Sequence, residues 1–286
     1  MLNPAWTTLA DKLVALFSAC PQVEAVALGG SLQGTSFDAS SDIDLYVYTR
    51  GDIPLDVRHT IVAQSGGASV ANVGLTFWGP GDEWFDAQTG IEVDIVYFDA
   101  DWMAGQLDRV IQKHQPAMGY TTCFWHTVFH AQVYYDPHGW FAGLQALSRR
   151  PYPEALRRNI IAFNCPVLRG IIPSYAHQIE KAVKRGDWIS VNHRLAALLA
   201  SYFDVLFAFN RVLHPGEKRL LPFALSHCPK LPADMEADIV AVLQAATPLS
   251  PPGTGTGQEL PARIARWLDR LDELLGQEGL NELCLL

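Results

Sequence analysis

Residues 27–48 read ALGGSLQGTSFDASSDIDLYVY. One apolar run ends in the corner Gly29-Gly30-Ser31, a small polar loop follows, and the next apolar run carries Asp42 and Asp44. Carboxylates in a strand that otherwise reads as core are costly unless something pairs with them. Side chains two apart on a strand share a face, so the two aspartates project together, roughly 6–7 Å apart along the strand. Two anionic groups at that spacing repel unless a cation joins them. Their hard oxygens suit Mg²⁺, which commonly takes one or two protein carboxylates and completes its octahedron with water and substrate phosphate.

A second ion needs another acid from a neighbouring strand. The run IEVDIVYFD at 91–99 offers Asp94, with Glu92 on the same face. That is the supply for a two-metal phosphoryl or nucleotidyl transfer, in which one ion activates the attacking oxygen and the other steadies the leaving pyrophosphate. The Gly-Gly-Ser corner then has a use. Glycines let backbone approach a triphosphate, the exposed amides form an anion-binding nest, and Ser31 adds a hydroxyl donor.

Gly30-Ser31, a ten-residue gap, Asp42-Ile43-Asp44 in an apolar strand and a third acid on a later strand together resemble the nucleotidyltransferase superfamily related to DNA polymerase β. Within it the chain looks like the small bacterial enzymes that adenylylate antibiotics, such as the aminoglycoside nucleotidyltransferases, and their uncharacterised relatives. The resemblance implies an α+β chain with a mixed-sheet catalytic domain followed by an all-helical bundle. By position it makes Gly30 and Ser31 the phosphate corner and Asp42, Asp44 and Asp94 the ligands of two Mg²⁺ ions, with Glu92 the general base toward an acceptor hydroxyl, or with Glu92 and Asp94 in exchanged roles. It implies Mg-ATP as co-substrate and a small-molecule acceptor, and it is compatible with a homodimer. Relatives bring a lysine from the helical domain onto the triphosphate. Here FNRVLHPGEKRLLPF at 209–223 offers Lys218 first and Arg219 second, after a Pro215-Gly216 turn at a helix start. Nucleotidylation of a protein partner, and nucleotide binding without catalysis, are the alternative readings.

With 286 residues the chain holds one large domain or two modest ones, and 21 basic against 30 acidic residues give a net charge of −9. That balance disfavours broad contact with nucleic-acid phosphates and suits a cationic small molecule. No run of eighteen uncharged apolar residues occurs, so no membrane helix is expected. The first twenty residues read as an amphipathic helix without a basic leader, which predicts a cytoplasmic protein. Five cysteines, at 20, 123, 165, 228 and 284, lack CxxC spacing and read as reduced, buried thiols. His126 and His130 have metal-ligand spacing but no adjacent glutamate, and read as core histidines.

Strands are expected at 23–29, 43–48, 70–78, 90–98 and 132–135, with helices at 4–20, 54–64 and 101–113, the last capped by Asp101. Beyond Arg149 the apolar period becomes helical, in segments near 152–168, 173–186, 188–212, 216–228, 233–247 and 257–278. The expected domains are 1–150 and 151–286.

Overall fold

The structure is a computed structural model that describes residues 4–29, 42–247 and 259–285. It is α+β, with a mixed six-stranded sheet in the N-terminal half and helices after it. Two compact units make up the chain. A sheet unit takes Met1–Asp108 and Thr127–Arg150, and a helical unit takes Arg109–His126 and Pro151–Leu286.

The sheet unit opens with α1 (Pro4–Ser18). Pro4 stands at its first position, where a missing N–H costs nothing, and Trp6, Leu9, Ala10, Leu13 and Phe17 recur on one buried face. β1 (Val23–Leu28) and β2 (Ile43–Thr49) pair antiparallel, and α2 (Leu55–Ser65) follows. A hairpin of β3 (Ala68–Leu75) and β4 (Gly81–Asp86) leads to β5 (Glu92–Asp99), which pairs with β2 in parallel. α3 (Ala100–Leu107) comes next, and after α4 (Cys123–His130), β6 (Gln132–Tyr135) adds to β1. The sheet order is β3-β4-β5-β2-β1-β6. Along β2 and β5, Ile43, Leu45, Val47, Val93, Ile95 and Tyr97 form one core with the buried face of α1. The residues between them point to the other face, which is what places the acids there.

β4 was not expected from sequence. Its run Gly-Asp-Glu-Trp-Phe-Asp buries Asp82, Trp84 and Asp86 and turns Glu83 and Phe85 the other way. Asp82 is tolerated because Arg58 Nε donates to it at 2.9 Å, Tyr97 Oη at 2.6 Å and the Gly74 amide at 2.8 Å, while Arg58 Nη2 makes a further ion pair. Asp86 takes the amide and hydroxyl of Thr89 in the β4–β5 turn. The expected cap of α3 also moves by two residues: Asp99 Oδ1 accepts from the Trp102 amide at 2.7 Å, and Asp101 pairs with Arg50 instead. At the start of α5 (Trp140–Ser148), Asp136 accepts from the amides of Phe141 and Ala142.

The helical unit contains α6 (Glu154–Cys165), α7 (Tyr175–Arg185), α8 (Trp188–Asn210), α9 (Leu220–His227), α10 (Met235–Ala245) and α11 (Leu260–Gly276). These follow the apolar periods read from the sequence. α8 is not a membrane span: among the described residues no helix is long and apolar enough to cross one. Its Asp204 is buried and accepts from the Thr121 amide at 3.0 Å, Thr121 Oγ1 at 2.6 Å and Asn164 Nδ2 at 3.2 Å. Asn164 also takes the Gly119 amide and donates to Ala117 O. These bonds fasten residues 117–122 to the helices, which explains why 109–126 goes with them although it precedes β6.

One expectation about cysteine is corrected. Cys165, at the end of α6, is disulfide-bonded to Cys284 in the one-turn helix Asn281–Cys284. Spacing could not reveal the pair, because the two lie 119 positions apart in sequence. Cys20, Cys123 and Cys228 are free thiols.

Two buried groups in this unit titrate in opposite senses. Burial raises the Asp204 carboxyl from 3.8 to about 7, so its contribution to stability is full below the unfolded value and is lost as pH rises through 7. Burial, followed by the nearby His126, lowers the His214 imidazole from 6.5 to about 3, so its contribution is lost as pH falls from 6.5 toward 3. Between pH 6.5 and 4 the two offset each other. Asp204→Asn should therefore expose the histidine's dependence, with stability falling on acidification by up to about 1.4 kcal/mol per pH unit relative to wild type. His214→Gln should show the reverse slope. Urea midpoints measured across that range check both, and parallel pH profiles for all three proteins would contradict the assignment.

Candidate active site

The acids of the opening stretch meet those of β5 through strand register. In the parallel β2–β5 pair Ile43 lies opposite Val93, and Asp44 lies opposite Asp94. One step earlier, Asp42 precedes Ile43 as Glu92 precedes Val93. Neighbouring strands run about 4.8 Å apart, so the four carboxylates stand in two adjacent rows on the face away from the α1 core. Asp44 and Asp94 are half-buried, Asp42 and Glu92 exposed.

β4 adds an acid that the sequence reading missed. Glu83 lies opposite Asp94 in the antiparallel β4–β5 pair and shares its face. The alternation of β4 was its only signal, and the buried aspartates on either side disguised it. The crowding is visible in Glu92, whose carboxyl is pushed above its ordinary value by burial and then by the charges of Asp42, Glu83 and Asp44. Hard oxygen donors on adjoining strands, crowded enough to raise the proton affinity of one of them, fit Mg²⁺ by chemistry. The row runs along the strands and does not close on a point: among the described residues, the three donors whose ligating atoms lie within 4.8 Å of one another are Cys165, Asp272 and Cys284.

Farther along the same face the acids give way to aromatics. Tyr46 packs edge-on against Phe98 at 5.4 Å, and Tyr48 lies under Trp140 and Phe141 of α5. The acids thus occupy the end of the face that α5 leaves uncovered.

β1 ends beside them. The Gly29 amide donates to Asp44 O at 2.8 Å, so Gly29 itself lies next to the acid pair. A Cβ on Gly29 would stand 2.3 Å from the Tyr46 ring, which gives this glycine a packing reason. Gly30 and Ser31 themselves lie outside the described residues, as does the loop to 41.

Lys218 and Arg219 belong to the helical unit, both exposed, in the turn that enters α9. Arg219 has φ +56° and Gly216 φ +104°, so the Pro215-Gly216 turn does end at a helix start. His126 is buried edge-on to Phe223, whereas His130 is exposed. Glu180 pairs with Lys184, and Asp187 caps α8 through Ser190. These last two are helix acids with structural duties.

Residues 123–220 match DUF4037, a domain of unknown function. The match starts at α4, ends at the first residue of α9, and includes Asn164, Asp204 and Lys218. No curated protein matches the sequence. Among solved structures, the chain is similar to a nucleotidyltransferase-like protein from Exiguobacterium sibiricum 255-15, with 13% identity and a TM-score of 0.41 over 93% of this chain and 73% of that one.

Proposed function

We propose that this protein is a metal-dependent nucleotidyltransferase that moves a nucleoside monophosphate, AMP from Mg-ATP in the first instance, onto a hydroxyl of a small acceptor and releases pyrophosphate. The observation that carries this reading is the register of Asp44 with Asp94 on adjacent parallel strands, extended by Asp42 and Glu92. Asp42, Asp44 and Asp94 would hold the ions. Two bound Mg²⁺ would acidify the attacking hydroxyl and neutralise charge on the leaving pyrophosphate.

The remaining work falls to the chain's own groups. Glu92, with its raised proton affinity, would take the proton of the acceptor hydroxyl, because a carboxylate in that condition is the better base. Glu83 would keep Glu92 in that condition by its own charge. The Gly30-Ser31 corner would receive the triphosphate through backbone amides and a hydroxyl. Lys218 and Arg219 would add cations to the same group, and positioning with charge neutralisation would supply most of the rate. The acidic face and the overall charge of −9 favour an acceptor that is itself cationic.

The metal half of the proposal is tested without an acceptor. Mn²⁺, used as a spectroscopic substitute for Mg²⁺, should bind the wild-type protein, and Asp44→Asn and Asp94→Asn should each weaken it by about tenfold or more. Equal Mn²⁺ affinity in the wild type and both variants would overturn the ligand assignment.

A further inference from the structure

We propose that Cys165, Cys284 and Asp272 form, when the cysteine pair is reduced, a binding site for a thiophilic divalent cation, Zn²⁺ in the first instance. The site is independent of the acidic face. Its donors come from three elements: Cys165 ends α6, Asp272 belongs to α11, and Cys284 closes the turn Asn281–Cys284. Two sulfurs and one carboxylate oxygen lie within 4.8 Å of one another. Both cysteines are buried, with Cα atoms 4.8 Å apart.

Two sulfurs and an oxygen make a donor set that suits zinc, which takes four ligands at about 2.0–2.3 Å in a tetrahedron. A cavity of about 140 Å³ adjoins all three residues and gives the sulfurs room to separate. Asn281 lines the same cavity, so its amide oxygen or a water can supply the fourth position.

Charge points the same way. Arg169, also on the cavity wall, is held by Asp269 at 2.5 Å and by an ion pair with Asp272. One guanidinium against two carboxylates leaves the surroundings net negative, which favours an entering cation. Arg169 also fixes the orientation of Asp272, as outer partners of metal-binding carboxylates do.

The disulfide and the cation exclude each other, because sulfurs bonded together carry no thiolate charge. Reduction by an external dithiol breaks the S–S bond, leaves two thiols on the protein and releases the reagent as its cyclic disulfide. Zn²⁺ then displaces both thiol protons to solvent. The redox state of the pair thereby selects between a covalent and a metal-mediated fastening of residues 281–285 onto α6 and α11. None of the other cysteines belongs to such a donor cluster among the described residues, and burial raises the thiol of Cys20, that of Cys123 to about 11 and that of Cys228 to about 12.

The test uses the full chain, reduced, freed of reductant under anaerobic conditions and titrated with Co²⁺. Thiolate-to-cobalt charge transfer and the visible bands of a tetrahedral ion should rise to one equivalent per chain and vanish on adding Zn²⁺. Cys165→Ser and Cys284→Ser should each abolish the charge-transfer band, and Asp272→Asn should weaken Zn²⁺ binding by about tenfold or more. The oxidised wild type, which has the same fold, should give no band. Cobalt held by the carboxylates of the sheet unit gives no thiolate band, so the two sites are told apart. A reduced wild type without the band, or a band that persists in both cysteine variants, would overturn the proposal.

Discussion

Arg58→Ala should destabilise the sheet unit by about 3–5 kcal/mol, the usual cost of stranding one partner of a buried ion pair. Asp82 is 1% exposed and receives Arg58, Tyr97 and the Gly74 amide. Removing the guanidinium leaves the hydroxyl and amide bonds to a buried carboxylate but no countercharge. The Arg58 guanidinium also lies 4.4 Å from the centre of the Tyr97 ring, so packing is lost with the charge. Arg50 is the control. It pairs with Glu24 and Asp101, but its side chain is 47% exposed and that of Asp101 77%, so Arg50→Ala should cost far less than Arg58→Ala. Urea unfolding of the two variants checks the contrast. Equal losses would mean that Asp82 is not buried as described.

Opening the Cys165–Cys284 bond should have an effect of similar size in the helical unit. A cross-link across 119 residues restricts the unfolded chain, and the chain-entropy estimate for a loop of that order is about 4–5 kcal/mol. Reductant in the presence of a chelator should therefore lower the melting temperature of the helical unit, and Cys165→Ala/Cys284→Ala should reproduce the shift without reductant. The sheet unit, which contains Cys20 and no disulfide among its described residues, should be unaffected. Calorimetry with both units resolved decides this. A melting curve indifferent to reductant, from protein shown by thiol titration to have opened the bond, would contradict the estimate.

How far the chain could be read in advance varies with the residue. Asp42 and Asp44 stand out because two acids interrupt an apolar alternation, and the strand that carries them needs only local pattern. Their meeting with Asp94 does not follow from pattern. It requires β5 to pair in parallel with β2 at one particular register, which the intervening α2 and β3–β4 hairpin set. β4 escaped because Asp82 and Asp86 look like surface acids until Arg58 and the turn donors are seen around them. Glu83 was lost with it. In the helical unit the 3.6-residue period reports helices faithfully, since each buries one face. The attachment of 109–126 to those helices runs through buried Asp204 and Asn164 and the bonds they make to residues 117–121, and the Cys165–Cys284 pair depends on where α6 and the last turn meet. Neither contact leaves a trace in local periodicity.

The central claim, a metal–triphosphate site on the acidic face, is tested most directly by isothermal titration with a nonhydrolysable ATP analogue. Wild type and Asp42→Asn/Asp44→Asn are compared, each with and without Mg²⁺. Binding that requires Mg²⁺ and is lost in the double variant is the result expected. A well-folded wild type that binds no nucleoside triphosphate, or binds one equally well without Mg²⁺ and without the two aspartates, would contradict it.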